Sequence, residues 1–171
     1  MMDFISVHMI RMRTHARLQQ IADNASPQRA KVSGAATCQQ SGVCCWTRPC
    51  DLFPGDERRI AVHLGVTVHE LFASSLVVDD IQDGNGYRLL PRRGQQDGGR
   101  YLTARETYDI DTPCVFLDVE HGNACKIHEV KPEGGRRFVC TMTDAEIKAL
   151  PSPKWTEEQL RGIGWDGYSD D

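Results

Sequence analysis

Seven cysteines, divided into two widely separated groups, constrain this 171-residue chain more than any other feature. Cys38, Cys44, Cys45 and Cys50 fall in one short stretch, TCQQSGVCCWTRPCDLFP, residues 37–54. Cys114, Cys125 and Cys140 lie far downstream, where the apolar pattern changes from helix-like to strand-like. Thiolates are soft ligands that select zinc or iron–sulfur clusters over hard cations. Ligands a few residues apart close small loops cheaply, whereas distant ones bind only if the fold presents them. The layout therefore predicts a loop that meets a hairpin around a shared inorganic centre.

Disulfide pairing is the competing use of cysteine, and an odd number leaves one over. No secretory signal is visible: FISVHMI is broken by Ser6 and His8, and Arg11, Arg13 and Arg17 follow it rather than precede it. Both points favour a reducing compartment, and the expected location is cytoplasmic. A net charge of -4 gives no general attraction to nucleic acid. No apolar run reaches the roughly 18 residues of a membrane span. Nucleic acid and membrane are thus excluded as expected partners.

The hydrophobic fraction of 40% and the length suit one domain with flanking tails. Residues 1–32 read as an N-terminal extension, helical or frayed, and arginine-rich like a loose mitochondrial presequence. Residues 33–142 read as a cysteine cluster domain, and residues 143–171 as short helices with an acidic tail. Gly34 to Cys50 has too few periodic apolar residues for an element and is expected to be loop. DERRIAVHL after Pro54-Gly55 predicts a helix with Ile60, Ala61 and Leu64 on one face, acids at its start and Gly65 at its stop. Thr67 and Glu70 form a capping-box pattern opening a second helix. His63 and His69 on this pair are read as surface residues.

LVVDDIQDGNGYRLLP predicts two strands about a turn at Asp83–Gly86. Pro91 to Arg100 is expected to be a solvated, glycine-rich loop. Pro113 to Asp118 and Ala124 to Ile127 predict a hairpin with Cys114 and Cys125 on its arms and His121 in its exposed turn. Glu133 to Phe138 reads as a turn of helix, Thr143–Glu146 and Thr156–Gln159 as capped helix starts, and GWDGYSDD as a polar tail. Trp46, Trp155 and Trp165 are read as core or docking aromatics. The expected fold class is α+β: a small cysteine-rich metal-binding domain with short helices and β-hairpins.

Spacing limits the metal. Two Cys-x2-Cys knuckles, which a zinc ribbon requires, are absent, and so are ferredoxin spacings. Cys125-x2-His128 is the nearest to a chelate pair. Adjacent Cys44 and Cys45 are awkward for one tetrahedral ion and suit a tight turn with several metal atoms, or two sites sharing a loop.

CQQSGVCC, followed by DLFPGDERRIAVHLGVTVHELF, PCVFLD, CKIHEVKP and Cys140, resembles the YkgJ-type cysteine cluster family, with its CxxCxxCC signature. The resemblance covers about residues 37 to 140 and implies a zinc- or iron-chelating domain. By position it assigns Cys38, Cys44, Cys45, Cys114, Cys125 and Cys140 as family cysteines and Gly42 as the turn glycine. Ser41 stands where the second family cysteine belongs, His128 replaces a tyrosine, and Lys131-Pro132 replaces Arg-Pro. The stretch from Pro132 to Cys140 is also longer than in the family. Cys50 lies outside the signature, either replacing the missing ligand or serving as a buried or free thiol.

These features lead to a protein that holds an iron–sulfur cluster, or a zinc or iron ion, through Cys38, Cys44, Cys45, Cys50, Cys114, Cys125 and Cys140. More thiols than one zinc needs favour the cluster. The expected role is electron transfer, metal handling or accessory support of a larger enzyme. Two alternatives stand beside it: an enzyme with one open coordination position, and a zinc-organised interaction module docking a protein partner through residues 141–171.

Overall fold

The computed structural model describes residues 42–47, 50–81, 84–109, 111–139 and 142–167. The N-terminal extension, Cys38, Ser41, Cys140 and the turn residue Asp83 lie outside the described residues.

Helix α1, Val43–Thr47, carries Cys44 and Cys45. It corrects the expectation of loop up to Cys50. Gly42 turns the chain into it at φ 75°, and its carbonyl accepts from Cys45 N at 3.0 Å. A Cβ on Gly42 would stand 2.7 Å from that of Asn123, so the turn sits hard against the hairpin turn far along the chain.

Helix α2, Asp56–Leu64, has the predicted limits, and Gly65 closes it in the left-handed conformation at φ 70°. Ile60 and Ala61 are buried while Leu64 is partly exposed, and the acids of the first turn are buried as well. Helix α3, Val68–Ser75, opens with the complete capping box of Thr67 and Glu70. His63 and His69 are exposed.

Strand β1, Leu76–Asp80, pairs antiparallel with β2, Tyr87–Pro91, from Leu76 opposite Pro91 to Asp80 opposite Tyr87. Strand β3, Tyr101–Leu102, joins β1 in parallel on its other side. Alternation along β1 sends Leu76 and Val78 to the main core and Val77 to a second cluster with Leu90 and Leu102. The outer edge of β2 is closed by bridges from Leu52 to Leu89 and from Trp155 to Tyr87.

Helix α4, Ala104–Tyr108, follows with its own capping box. Strands β4, Leu117–Asp118, and β5, Ala124–Cys125, form the second hairpin, shorter than expected. Cys125 lies on its arm as expected, but Cys114 precedes β4 and bridges Arg93 instead. A 3-10 turn, His128–Val130, leads to α5, Glu133–Arg137, then α6, Asp144–Lys148, and α7, Glu157–Arg161. The fold class is thus α+β.

Trp155, Leu160, Ile163 and Trp165 of the C-terminal segment are part of the core. Trp155 donates its indole N–H to Leu52 O at 2.7 Å and exchanges backbone bonds with Tyr87. Trp165, read from the sequence as lying in a polar tail, is buried edge-on to Tyr87 with ring centroids 4.9 Å apart.

Buried Asp56 fixes the position of α5 relative to α2. One of its carboxylate oxygens accepts from Phe53 N and from Glu133 N, both at 2.8 Å, and the other pairs with Arg59. Arg59 in turn donates to Lys131 O at 3.1 Å, just before α5. Asp56→Ala would leave two backbone donors without their acceptor, at a cost of about 2–4 kcal/mol. Chemical denaturation should show that loss, whereas an unchanged midpoint would remove Asp56 from this role.

Candidate thiol centre and adjoining cleft

Adjacent cysteines on one helical turn point differently, and the fold uses both. Cys44 lies beside the segment carrying Cys50 at the edge of a cleft, while half-buried Cys45 packs against the core that contains Cys114 and Cys125. The two segments are joined through the backbone, since Cys114 N donates to Cys45 O at 2.8 Å. Cys44, Cys45, Cys50, Cys114 and Cys125 are all free thiols, Cys114 buried and the others half-buried.

The five thiols lie within electrostatic reach of one another. In the ionised Cys44–Cys45 pair, with sulfurs 4.0 Å apart, the Cys45 S–H donates and holds Cys44 down to about 7. The same contact raises Cys45, and burial and the charges of Cys44, Cys114 and Cys125 push it the same way. Burial raises Cys50, with Cys44, Cys114 and Cys125 adding to the effect. Burial likewise pushes Cys114 up to about 12, with Cys125 and Cys44 contributing. Cys45, Cys50 and Cys114 are thus held protonated by their surroundings, and Cys44 ionises most readily of the four.

Arg93 is the residue that sequence reading missed. In the expected solvated loop, Gly94 and Gln95 are indeed exposed, but Arg93 is 1% exposed and Gln96 is buried with it. Its guanidinium donates to Trp46 O at 3.1 Å and Thr47 O at 3.0 Å, the last carbonyls of α1, and to Thr112 O at 3.4 Å. A cation at a helix C-terminus satisfies open carbonyls and opposes the dipole. Burial lowers the pKa of Arg93, and an ionised Cys114 beside it would favour the charged guanidinium.

Helix α5 presses on the other side of the site. A Cβ on Gly135 would stand 2.6 Å from Cys50 Sγ, and one on Gly134 would stand 2.8 Å from Asp51 O. Two helical glycines cost about 1 kcal/mol each relative to alanine, and here the close approach requires them.

Beyond Cys44 and Cys50 opens a cleft of about 530 Å³. Its back wall is a charged set on β2 and its neighbours. Arg88 donates to Asp51 at 2.6 Å and to the Tyr108 hydroxyl at 2.8 Å, and stands 3.6 Å from Asp79, its cross-strand partner. Asp79 is fully buried, and neither carboxylate oxygen has a hydrogen-bond partner among the described residues. Burial raises its pKa to about 6 despite Arg88.

The sequence-predicted residues divide accordingly. Cys44, Cys45, Cys50, Cys114 and Cys125 are brought to one region, and Cys38 and Cys140 lie outside the described residues. His128 is half-buried, and burial lowers its pKa. His121 is exposed and bonded to Asp118 at 2.8 Å. The soft donor set suits zinc or iron. Among the described residues, no three His, Cys, Asp or Glu side chains already stand in an arrangement that could hold a metal ion. No protein-family model, curated protein or solved structure matches the chain.

Two outcomes test this geometry. Gly135→Ala should lower the melting temperature, corresponding to about 1–3 kcal/mol of overpacking against Cys50; a rise would refute the close approach. Asp79 holds its proton more tightly folded than unfolded, so its contribution is fully favourable below about pH 4 and is lost as pH rises through about 6. Asp79→Asn should therefore stabilise the protein at pH 8 by up to about 3 kcal/mol and bring little gain at pH 4. Equal gains at both pH values would contradict the buried-carboxylate assignment.

Proposed function

We propose that this protein is a soft-metal-binding protein whose centre is held by cysteines from two distant segments. The observation that carries the reading is the convergence of Cys44, Cys45 and Cys50 with Cys114 and Cys125, tied by the Cys114–Cys45 backbone bond. Cys38 and Cys140 complete the ligand set, and the resemblance to the YkgJ-type cysteine cluster family supports the same assignment. An iron–sulfur cluster is favoured over a zinc or iron ion because the thiols outnumber what one tetrahedral ion needs.

Electrostatics supports the reading independently. Buried thiols that raise one another's pKa ionise together only beside a strong cation, and metal binding then releases their protons. Arg93, buried next to Cys114, supplies a fixed positive charge for the resulting thiolates. Bound iron–sulfur would supply one-electron redox chemistry, and zinc would supply structural closure. The chain's own residues orient the donors: Arg93 holds α1, and α5 confines Cys50. The role is electron transfer, metal handling or accessory support of a larger enzyme, in the cytoplasm.

The cleft beside Cys44 and Cys50 favours a second reading, a metal-dependent enzyme whose centre stays open on one side. Anaerobic purification separates the metals: brown protein with broad visible absorbance carries iron–sulfur, and colourless protein with stoichiometric zinc carries a closed site. Cys44→Ser should reduce metal content severalfold and lower the melting temperature, because binding free energy contributes to folding in such sites. Full metal content with an unchanged melting temperature would overturn the ligand assignment.

A further inference from the structure

The cleft is far larger than any metal ion or small cluster requires. At about 530 Å³ it lies in the range of small-molecule sites. One wall is apolar, formed by Phe138, Ile147, Leu150 and Pro151. Among the described lining residues the charged groups are Arg88, Arg137 and Lys148 with the carboxylate of Asp51. Asp51 and Asp79 offset Arg88, and Glu133 offsets Arg137, so Lys148 carries the least compensated positive charge at the cleft. The basic groups come from three different elements, with Arg88 at the back on β2, Arg137 on α5 and Lys148 on α6.

Their accessibility is graded. Arg88 is largely covered and already engaged by Asp51, so it sets the field of the back wall rather than offering a free fork. Arg137 lies over the Phe53 ring at 5.5 Å and pairs with Glu133 at 2.8 Å, which orients it while leaving it exposed. Lys148 is exposed in the last turn of α6. A ligand with an apolar body and one anionic group satisfies both walls at once. Neither a neutral apolar molecule nor a polycation does.

We propose that this cleft binds a small organic anion, a carboxylate or phosphate monoester on an apolar body, held by Arg137 and Lys148 beside the Cys44–Cys50 wall. The proposal goes beyond the metal reading and does not need the metal to be present. It gives the thiol centre a neighbouring ligand site from which substrate could be presented to it.

Titration calorimetry on the full chain as purified, with phenyl phosphate and benzoate as separate probes, tests this, and metal content is measured on the same samples. At least one probe should bind with a dissociation constant below about 1 mM and weaken as salt is raised. The stronger probe names the anion class. Lys148→Glu should weaken binding about tenfold with metal content unchanged, Arg137→Ala should weaken it similarly, and Lys148→Arg should restore it. No binding of either probe, or binding undiminished in Lys148→Glu, would overturn the cleft assignment. Loss of the metal reading would appear separately, as protein that binds a probe but carries no metal.

Discussion

One buried guanidinium holds the two halves of the thiol region together. Arg93 reaches from the end of β2 into the C-terminal carbonyls of α1, while its own backbone bridges Cys114. Without it, α1 would present open carbonyls to a protein interior, and the five-residue helix has too few internal bonds to persist alone. The charge is costly to bury, and carbonyl oxygens, which carry only partial negative charge, offset part of that cost. Negative charge on the neighbouring Cys114 or Asp111 would offset more. The same residue therefore links the local problem of ending a short helix with the electrostatic problem of a buried sulfur centre.

Most of the regular elements, though not α1, β3 or α4, were legible because their signals are local. Capping boxes at Thr67, Thr143 and Thr156, and the glycine stop at Gly65, depend on residues only a few positions apart. The β1–β2 hairpin follows from two apolar runs around a glycine-rich turn. What escaped reading depends on partners far along the chain. Arg93 looks like any arginine in a polar loop, since the carbonyls it serves are 46 and 47 residues away. Asp79 looks like an ordinary solvent-facing strand residue until its face is covered. Trp165, by contrast, reads from the sequence as a core or docking aromatic and does lie in the core, against the rings of Tyr87 and Tyr101.

The candidate site was legible in a different sense. Clustering of soft ligands forecast that the two cysteine segments would approach, and Cys114 N does donate to Cys45 O, but among the described residues the thiols form no ready-made metal site. Cysteine count carried no information about the cleft, whose basic lining is assembled from one strand and two helices. The Asp51–Arg88–Asp79 set likewise needs the strand register to exist at all. Arg88 and Asp51, which line the cleft, are largely covered, and Asp79 behind them is fully buried, so salt screens this set less than it screens exposed pairs.

Helix α5 shows how local weakness can serve this arrangement. Glu-Gly-Gly-Arg-Arg is a poor helix by propensity, and its five residues cannot sustain a helix in isolation. It forms because Asp56 accepts from Glu133 N at its start and Arg136 reaches the carbonyls of Lys131 and Glu129 before it. Those long-range bonds supply what the sequence lacks, and the two glycines then bring the helix backbone against Cys50 and Asp51. A conflict between local preference and adopted structure, resolved only by tertiary contacts, is expected where close approach to a site outweighs helix stability. In this chain it occurs beside Cys50, the half-buried thiol that the backbone of Gly135 approaches most closely.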